Sequence, residues 1–167
     1  MEEQMVIFLI KIALLEAKKS PDHSTQNGAI IVKENDKTII GLGYNRPPYE
    51  LNWEDEKYQT RPQKYFYFEH AERNAIFNAV RKGNSTVGST IVCPWLACAD
   101  CARAIIEAGI KKIISIPRLN MTNNRWDESI TVGDEMLKDC GIIREDFDIK
   151  DHKFGIQLLR NGKLMEF

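Results

Sequence analysis

Between residues 3 and 19 the apolar positions Val6, Leu9, Ile10, Ala13, Leu14 and Ala17 recur at helical spacing and predict an amphipathic helix. Ser20-Pro21 ends it, because proline pushes the preceding residue out of the helical region. Residues 29–32 and 38–42 are β-rich runs around Glu34-Asn35-Asp36-Lys37, which reads as a hairpin. An irregular stretch with three prolines fills 45–69. Beyond it, residues 72–82 return to helical spacing through Ala75, Ile76, Ala79 and Val80, and stop at Gly83. Residues 89–93 read as a strand, 99–108 as a helix closed by Gly109, and 112–116 as a further strand. A helix follows over 130–139, stopped by Gly141. Residues 155–160 and 163–167 flank Asn161-Gly162, a type I′ hairpin signal.

The middle of the chain therefore alternates strand and helix. That order predicts a three-layer α/β/α sandwich with a mixed central sheet, helices on both faces and right-handed crossovers. At 167 residues the chain fits one domain, 1–167, with a core over about 5–140 and the hairpin at about 153–167 as an extension. There is no internal repeat and no low-complexity segment.

Charge narrows the partners. A formal net charge of -1 offers none of the basic excess that long nucleic acid needs. A small anionic substrate, which needs one or two local cations, stays open. The apolar N-terminal run is interrupted by Lys11 and preceded by acids, so it reads as a poor signal peptide and is expected to be too short and too charged to span a membrane. The four cysteines are too few for a disulfide scaffold, and a reducing, cytoplasmic setting is expected (a host cytoplasm for a viral protein). Cys93 and Cys140 sit among apolar residues and are expected to be buried thiols.

The chemistry concentrates in two motifs, His70-Ala71-Glu72 and Cys98-Ala99-Asp100-Cys101. One imidazole and two thiolates make three ligands of a catalytic zinc ion, with a fourth position left for water. The order H-x-E then C-x-x-C is the signature of zinc-dependent nucleobase deaminases. Cys98 and Cys101 share one face at a helix start, where the helix dipole favours the thiolate. Residues two apart in a helix diverge, so His70 and Glu72 serve one site only if their helix begins close to His70. One neutral imidazole and two thiolates leave the zinc site formally neutral and the metal a weak Lewis acid. A nearby base is then needed, and Glu72 is placed to take the water proton and return protons to the ring nitrogen and the leaving amine. The alternatives are a structural zinc, which lacks a fourth ligand here, and a thioredoxin-like redox pair, which leaves His70 and Glu72 unexplained.

His70–Ile76, reading HAERNAI, and residues 94–113, reading PWLACADCARAIIEAGIKKI, resemble the deoxycytidylate deaminase family; STQNGAIIV (24–32) and GLGYN (41–45) match its pattern too. The resemblance covers about residues 5–140. It implies the cytidine deaminase-like fold, one catalytic Zn2+, and hydrolysis of a deoxycytidine nucleotide (dCMP, with dCTP as an option) to the deoxyuridine nucleotide and ammonia. It also implies His70, Cys98 and Cys101 as zinc ligands, Glu72 as the proton shuttle, and Asn45 as a sugar-hydroxyl contact. A homohexamer is implied as well, with dCTP and dTTP as effectors and Mg2+ accompanying a triphosphate. Two departures stand out. Ala97 occupies the place where the family usually has proline, and Arg46-Pro47-Pro48 replaces a glycine-containing turn in the region that helps build the effector site.

The expected substrate contacts are Asn45, Ser24, Thr25, Asn27, Ala71, Arg46, Arg125 and Trp126, with the neighbourhood of Ala29 lining the pocket. Asn27 is either a pocket amide or a turn residue before Gly28, and Ser24 and Thr25 are either phosphate contacts or caps. Arg46 and Arg125 are the phosphate candidates, since guanidinium binds phosphate bidentately. Trp126 either stacks on the base or seals a helix onto the sheet. The segment 46–69, rich in aromatic residues from Tyr49 to Phe68, is a lid, a subunit contact or a satellite hydrophobic cluster. Rival functions are deamination of another base or of a nucleic-acid base, and a zinc-stabilised binding module without catalysis.

Overall fold

The computed structural model describes residues 1–116 and 126–167. Arg125 lies outside the described residues. Helix α1 (Glu3–Ala17) leads into the antiparallel hairpin of β1 (Gly28–Val32) and β2 (Ile39–Tyr44). The stretch expected to be irregular holds a 3-10 turn at Glu56–Tyr58 and a one-turn helix α2 (Lys64–Tyr67). Then come α3 (Ala71–Arg81), β3 (Thr90–Val92), α4 (Ala99–Glu107), β4 (Lys112–Ser115) and α5 (Asp127–Asp139), which starts three residues ahead of its predicted position. β5 (Ile143–Asp146) and the terminal hairpin of β6 (Gln157–Arg160) and β7 (Lys163–Glu166) complete the chain.

The five-stranded sheet runs β2-β1-β3-β4-β5 and is mixed: β1 is antiparallel to β2 and β3, whereas β3, β4 and β5 are parallel. Both faces are covered, which is why β1 is a continuous apolar run. Ala29 and Ile31 face the cluster built with α3, α4 and α5; Ile30 and Val32 face the cluster built with α1. Ile156, Leu158 and Phe167 of the C-terminal segment join that second cluster, so the terminal hairpin shares a core with α1.

β5 is not visible in the hydrophobic pattern. It reads Ile-Arg-Glu-Asp and its side chains are largely exposed. Backbone pairing to β4 makes it a strand, and Lys112 paired with Glu145 and Arg144 paired with Asp134 and Asp146 hold it. Charges along an edge strand also discourage pairing with another chain. Cys140 corrects another expectation: it is the C-cap residue of α5 and exposed, whereas Cys93 is buried. Its helix turns Leu137, not Cys140, toward the core.

One close approach positions the site. A Cβ at Gly43 would lie 2.6 Å from the carbonyl oxygen of Ala71, so only glycine lets α3 settle this low on β2.

Candidate active site

His70 is the N-cap residue of α3 and has an extended backbone (φ -76°, ψ 155°). The helix begins at the next residue, the boundary that the H-x-E spacing demands. Cys98 stands in the same place on α4, as its N-cap residue (φ -74°, ψ 171°), and Cys101 falls in the first turn. Two helix starts thus converge. His70 Nδ1 lies 3.5 Å from Cys98 Sγ and 3.4 Å from Cys101 Sγ. The three donor atoms lie within 4.8 Å of one another. A tetrahedral zinc ion with ordinary bond lengths of about 2.0 Å to nitrogen and 2.3 Å to sulfur sets these donors roughly 3.5 Å apart. The residues present therefore fit a zinc ion, and this donor set could hold one.

Electrostatics at the cluster follow from burial and from the neighbouring charges. The Cys101 thiol donates to Cys98, and His70 adds its own hydrogen bond, so Cys98 is lowered to about 4 and is a thiolate. Cys101, as the donor of that pair and a buried group, is pushed up. Burial depresses His70, but its hydrogen bond to Cys98 and the charge of Glu72 outweigh this and raise it. Arg73 adds a cation: Nη1 sits 3.9 Å from Cys101 Sγ while the same guanidinium pairs with Glu69.

Glu72, in the first turn of α3, is 2 % exposed. Burial raises its pKa, and the Cys98 thiolate raises it further. Asn27 Nδ2 lies 3.5 Å from Glu72 Oε2 and 3.3 Å from Cys93 Sγ. Asn27 is itself held from behind: its backbone N–H donates to Asn45 Oδ1 at 2.7 Å, and Asn45 Nδ2 donates to the Thr25 carbonyl and to Asp22 Oδ2. Asp22 Oδ1 accepts the N–H groups of Ser24 and Thr25 and pairs with buried Lys64. This network fixes the loop over residues 22–27 relative to the carboxylate.

A cavity of about 140 Å³ opens in front of these groups. Of the residues singled out from the sequence, Ser24, Thr25, Asn27, Asn45, His70, Ala71, Glu72, Cys98 and Trp126 line it. Trp126 presents its edge to His70 at a centroid distance of 5.4 Å and touches Tyr65 in the same way. Cys101 lies behind the wall, wholly buried. Ala29 is also wholly buried in the core, while its neighbour Asn27 supplies the wall.

Arg46 is not brought to the cavity, which corrects its place among the phosphate candidates. Its guanidinium stacks over the Tyr49 ring and donates to the Pro47 carbonyl at 2.8 Å and to Asn74 Oδ1. Backbone bonds between Arg46 and Glu69 then pin the strand end to the segment before α3. In its stead, Arg61, Lys64 and Tyr65 from the aromatic segment, and Arg160 and Asn161 from the terminal hairpin, line the cavity. For the first three the only sequence signal was the length and aromatic content of the 46–69 segment. For the last two there was none, since an Asn-Gly turn announces a hairpin and not where it docks.

Comparison with known proteins agrees with this geometry. Residues 4–116 match the family model of the cytidine and deoxycytidylate deaminase zinc-binding region. The deoxycytidylate deaminase of Homo sapiens is 36% identical over 112 residues, which is 64% of this chain and 61% of that protein. The chain thus spans less than two thirds of the length of such curated relatives. An uncharacterized deaminase from the luxG 3' region of Aliivibrio fischeri is 33% identical over 132 residues, covering 79% of this chain and 86% of that one. Among solved structures, the dCMP deaminase of cyanophage S-TIM5 in complex with dCMP and dUMP is similar with a TM-score of 0.71 and 27% identity, covering 88% of this chain and 99% of the other. No helix among the described residues is long and apolar enough to cross a membrane. With two thirds of its length matched and a His-Cys-Cys donor set at two converging helix starts, the chain belongs to the cytidine and deoxycytidylate deaminase zinc-binding family.

Proposed function

We propose that this chain hydrolyses the amine of a deoxycytidine nucleotide, dCMP, yielding dUMP and ammonia, with His70, Cys98 and Cys101 as zinc ligands and Glu72 as the proton carrier. The observation that carries this reading is the placement of buried Glu72 at the same helix start as His70, lining a cavity that Cys98 also lines. Relatives named as deoxycytidylate deaminases, one of them solved with dCMP and dUMP, support the substrate.

A zinc ion held by the three residues supplies electrophilic polarisation of a water molecule. The rest falls to the protein. Glu72, desolvated and with a raised pKa, is a stronger base than an exposed carboxylate. It takes one proton from the attacking water and delivers it to N3 of the pyrimidine, then takes the second from the hydroxyl newly bonded to C4 and passes it to the amine as the C–N bond breaks. Asn27 Nδ2, 3.5 Å from Glu72 Oε2, offers the carboxylate a hydrogen-bond donor. Asn45, fixed by Asp22 and Thr25, stands at the cavity wall where a sugar hydroxyl would sit. Trp126 lines the side of the cavity next to His70. The chain acts as one deaminase domain over 1–167, because the terminal hairpin completes both the α1 core and the cavity wall.

The test is Glu72→Gln in zinc-loaded protein. Zinc content is retained, and ammonia release from dCMP falls about 10²- to 10⁴-fold. Unchanged ammonia release with zinc in place overturns the catalytic reading and leaves the zinc-stabilised binding module.

A further inference from the structure

Three asparagines that neither zinc chemistry nor proton transfer employs lie along α3 and just past its end. Asn74 Nδ2 donates to the Tyr44 carbonyl at 2.7 Å, Asn78 Nδ2 to the Leu42 carbonyl at 2.7 Å, and Asn84 Nδ2 to the Ile40 carbonyl at 3.1 Å. The three acceptors are alternate residues of β2, the edge strand of the sheet beside β1. An edge strand turns every second carbonyl away from its neighbour, and each of these needs another partner. The spacings match. Four helical residues advance about 6 Å and two strand residues about 6.7 Å. Asparagines four apart on α3 therefore meet carbonyls two apart on β2, in the opposite chain direction. A slide of α3 along β2 breaks these bonds together and strands the buried amide of Asn74.

Arg46 closes this ladder. Its Nη2 donates to Asn74 Oδ1 at 3.4 Å, and the same oxygen accepts Asn78 Nδ2 at 3.4 Å. The Tyr49 hydroxyl donates to Asn78 Oδ1 at 3.5 Å, and the Arg46 guanidinium carbon lies 3.1 Å from the centroid of that Tyr49 ring. Arg46, Asn74, Asn78 and Tyr49 thus form a closed ring of contacts. Arg46 is 8 % exposed, and its Nε has no hydrogen-bond partner among the described residues. A buried cation held by a carbonyl, an amide and a ring face adds little stability over an apolar side chain of its size. What it fixes is geometry.

Asn45, which lines the cavity, stands between two residues of this ring. Tyr44 before it accepts from Asn74. Arg46 after it donates to Asn74 and pairs its backbone with Glu69, the residue ahead of His70, at 3.1 and 2.8 Å. The Asn74 N–H donates in turn to the His70 carbonyl at 3.0 Å. We propose that Asn74 and Arg46 are positioning residues of the deaminase site. The asparagine ladder, closed by the Arg46–Tyr49 stack, sets the height of α3 on β2. With it comes the place of Glu72 relative to Asn45, and of His70 relative to the cysteines of α4. The proposal rests on the deaminase reading above for the role of Glu72, and on its own bonds for the register.

The experiment has two arms, both on the full-length chain, with Asn74→Ala, Arg46→Met and the double variant. In the first arm the protein is zinc-loaded. In Asn74→Ala, kcat for dCMP falls roughly 10- to 100-fold, the cost of a small misplacement at a reacting group, while dUMP affinity by calorimetry changes less than about threefold. Binding is spared because Asn45 keeps its bonds to Asp22 and Thr25. Arg46→Met shows a smaller loss of kcat with a melting temperature at or above that of the parent. The double variant loses no more than Asn74→Ala alone, since both act through one register. Equal falls in kcat and dUMP affinity, additive losses, or an unchanged kcat in both single variants overturn the proposal. The second arm needs no turnover. Zinc affinity, read by competition with a chromogenic chelator, falls roughly 10-fold in Asn74→Ala because His70 rides on the start of α3. Should the parent chain deaminate no cytosine nucleotide while this fall is seen, the deaminase reading fails and the positioning stands. Unchanged zinc affinity in both single variants overturns the positioning whatever the activity. If thermal melts show Asn74→Ala unfolded, Arg46→Met decides: parent-like kcat and zinc affinity in that variant overturn the proposal.

Discussion

The inner and outer halves of the cavity are assembled in opposite ways. The inner half takes His70 with Glu72 and Cys98 with Cys101, two pairs each closed within four residues at a helix start. Each pair is positioned by its own helix, and the sheet has only to bring two helix ends together. The outer half collects Ser24, Arg61, Lys64 and Arg160 from three remote segments, held by the buried Asp22–Lys64 pair and by hairpin-to-loop backbone bonds. The His-Cys-Cys cluster is thus built from local geometry, and the rest of the cavity wall from long-range contacts. The inner half should fail abruptly when any one member is lost, and the outer half by degrees.

The largest expected effect is removal of the metal. Dialysis against a strong chelator, or Cys101→Ser, is expected to take dCMP deamination below detection. Added zinc should restore the dialysed protein but not the variant, with metal content followed by atomic absorption. Restoration by magnesium alone would break the assignment of a His-Cys-Cys zinc site, since that donor set selects a soft cation. Glu72→Gln comes next, at about 3–5 kcal/mol of transition-state stabilisation for a 10²- to 10⁴-fold loss.

Asp22→Ala probes the outer half through stability. It removes the carboxylate paired with Lys64, whose side chain is 5% exposed, and releases the N–H groups of Ser24 and Thr25. Breaking a buried pair in this way is expected to cost about 3–5 kcal/mol, read as a shift in the urea midpoint. A loss under about 1 kcal/mol would mean that the loop over 22–27 does not depend on the pair. Gly43→Ala is the milder test of the inner half. The new methyl meets the Ala71 carbonyl at 2.6 Å and lifts the start of α3, at about 1–3 kcal/mol. Because His70 and Glu72 sit at that start, kcat should fall with the melting temperature; a fall in stability alone would show the site to be less rigid than its helix.

The smallest effect concerns the spare thiols. Burial pushes the Cys93 thiol up, and the charge of Glu72 adds to it, so its reactive thiolate is scarce even at pH 8. Cys140 is exposed. In the zinc-loaded native protein a thiol reagent at pH 8 should label Cys140 and spare Cys93, as read by mass spectrometry of the peptides. Rapid labelling of Cys93 would mean that the cavity floor beside Asn27 opens to solvent.

Most elements were legible because they are written in short range. The helical spacing of Val6 to Ala17, the Asn161-Gly162 turn and the start of α3 beside His70 all came from neighbours in sequence. Arg46 shows the limit: nothing in Arg46-Pro47-Pro48 says that the guanidinium turns onto Tyr49 and Asn74 and not into the cavity. β5 shows a second limit, since Ile-Arg-Glu-Asp has no apolar alternation and becomes a strand only because β4 offers it an edge. Cys140 shows a third: apolar neighbours place a residue near the core, but the turn at the end of α5 decides which way it faces.

The sequence by itself determined the two motifs of the candidate metal site, because residues two and three apart at a helix start need only local backbone geometry to be placed together. The tertiary structure alone decided what surrounds that chemistry. Arg61 and Arg160 line one cavity because α1 and the terminal hairpin share a core, and because the loop over 22–27 bonds to both sides. Such meetings depend on chain closure over many residues, for which no spacing along the sequence is a signal.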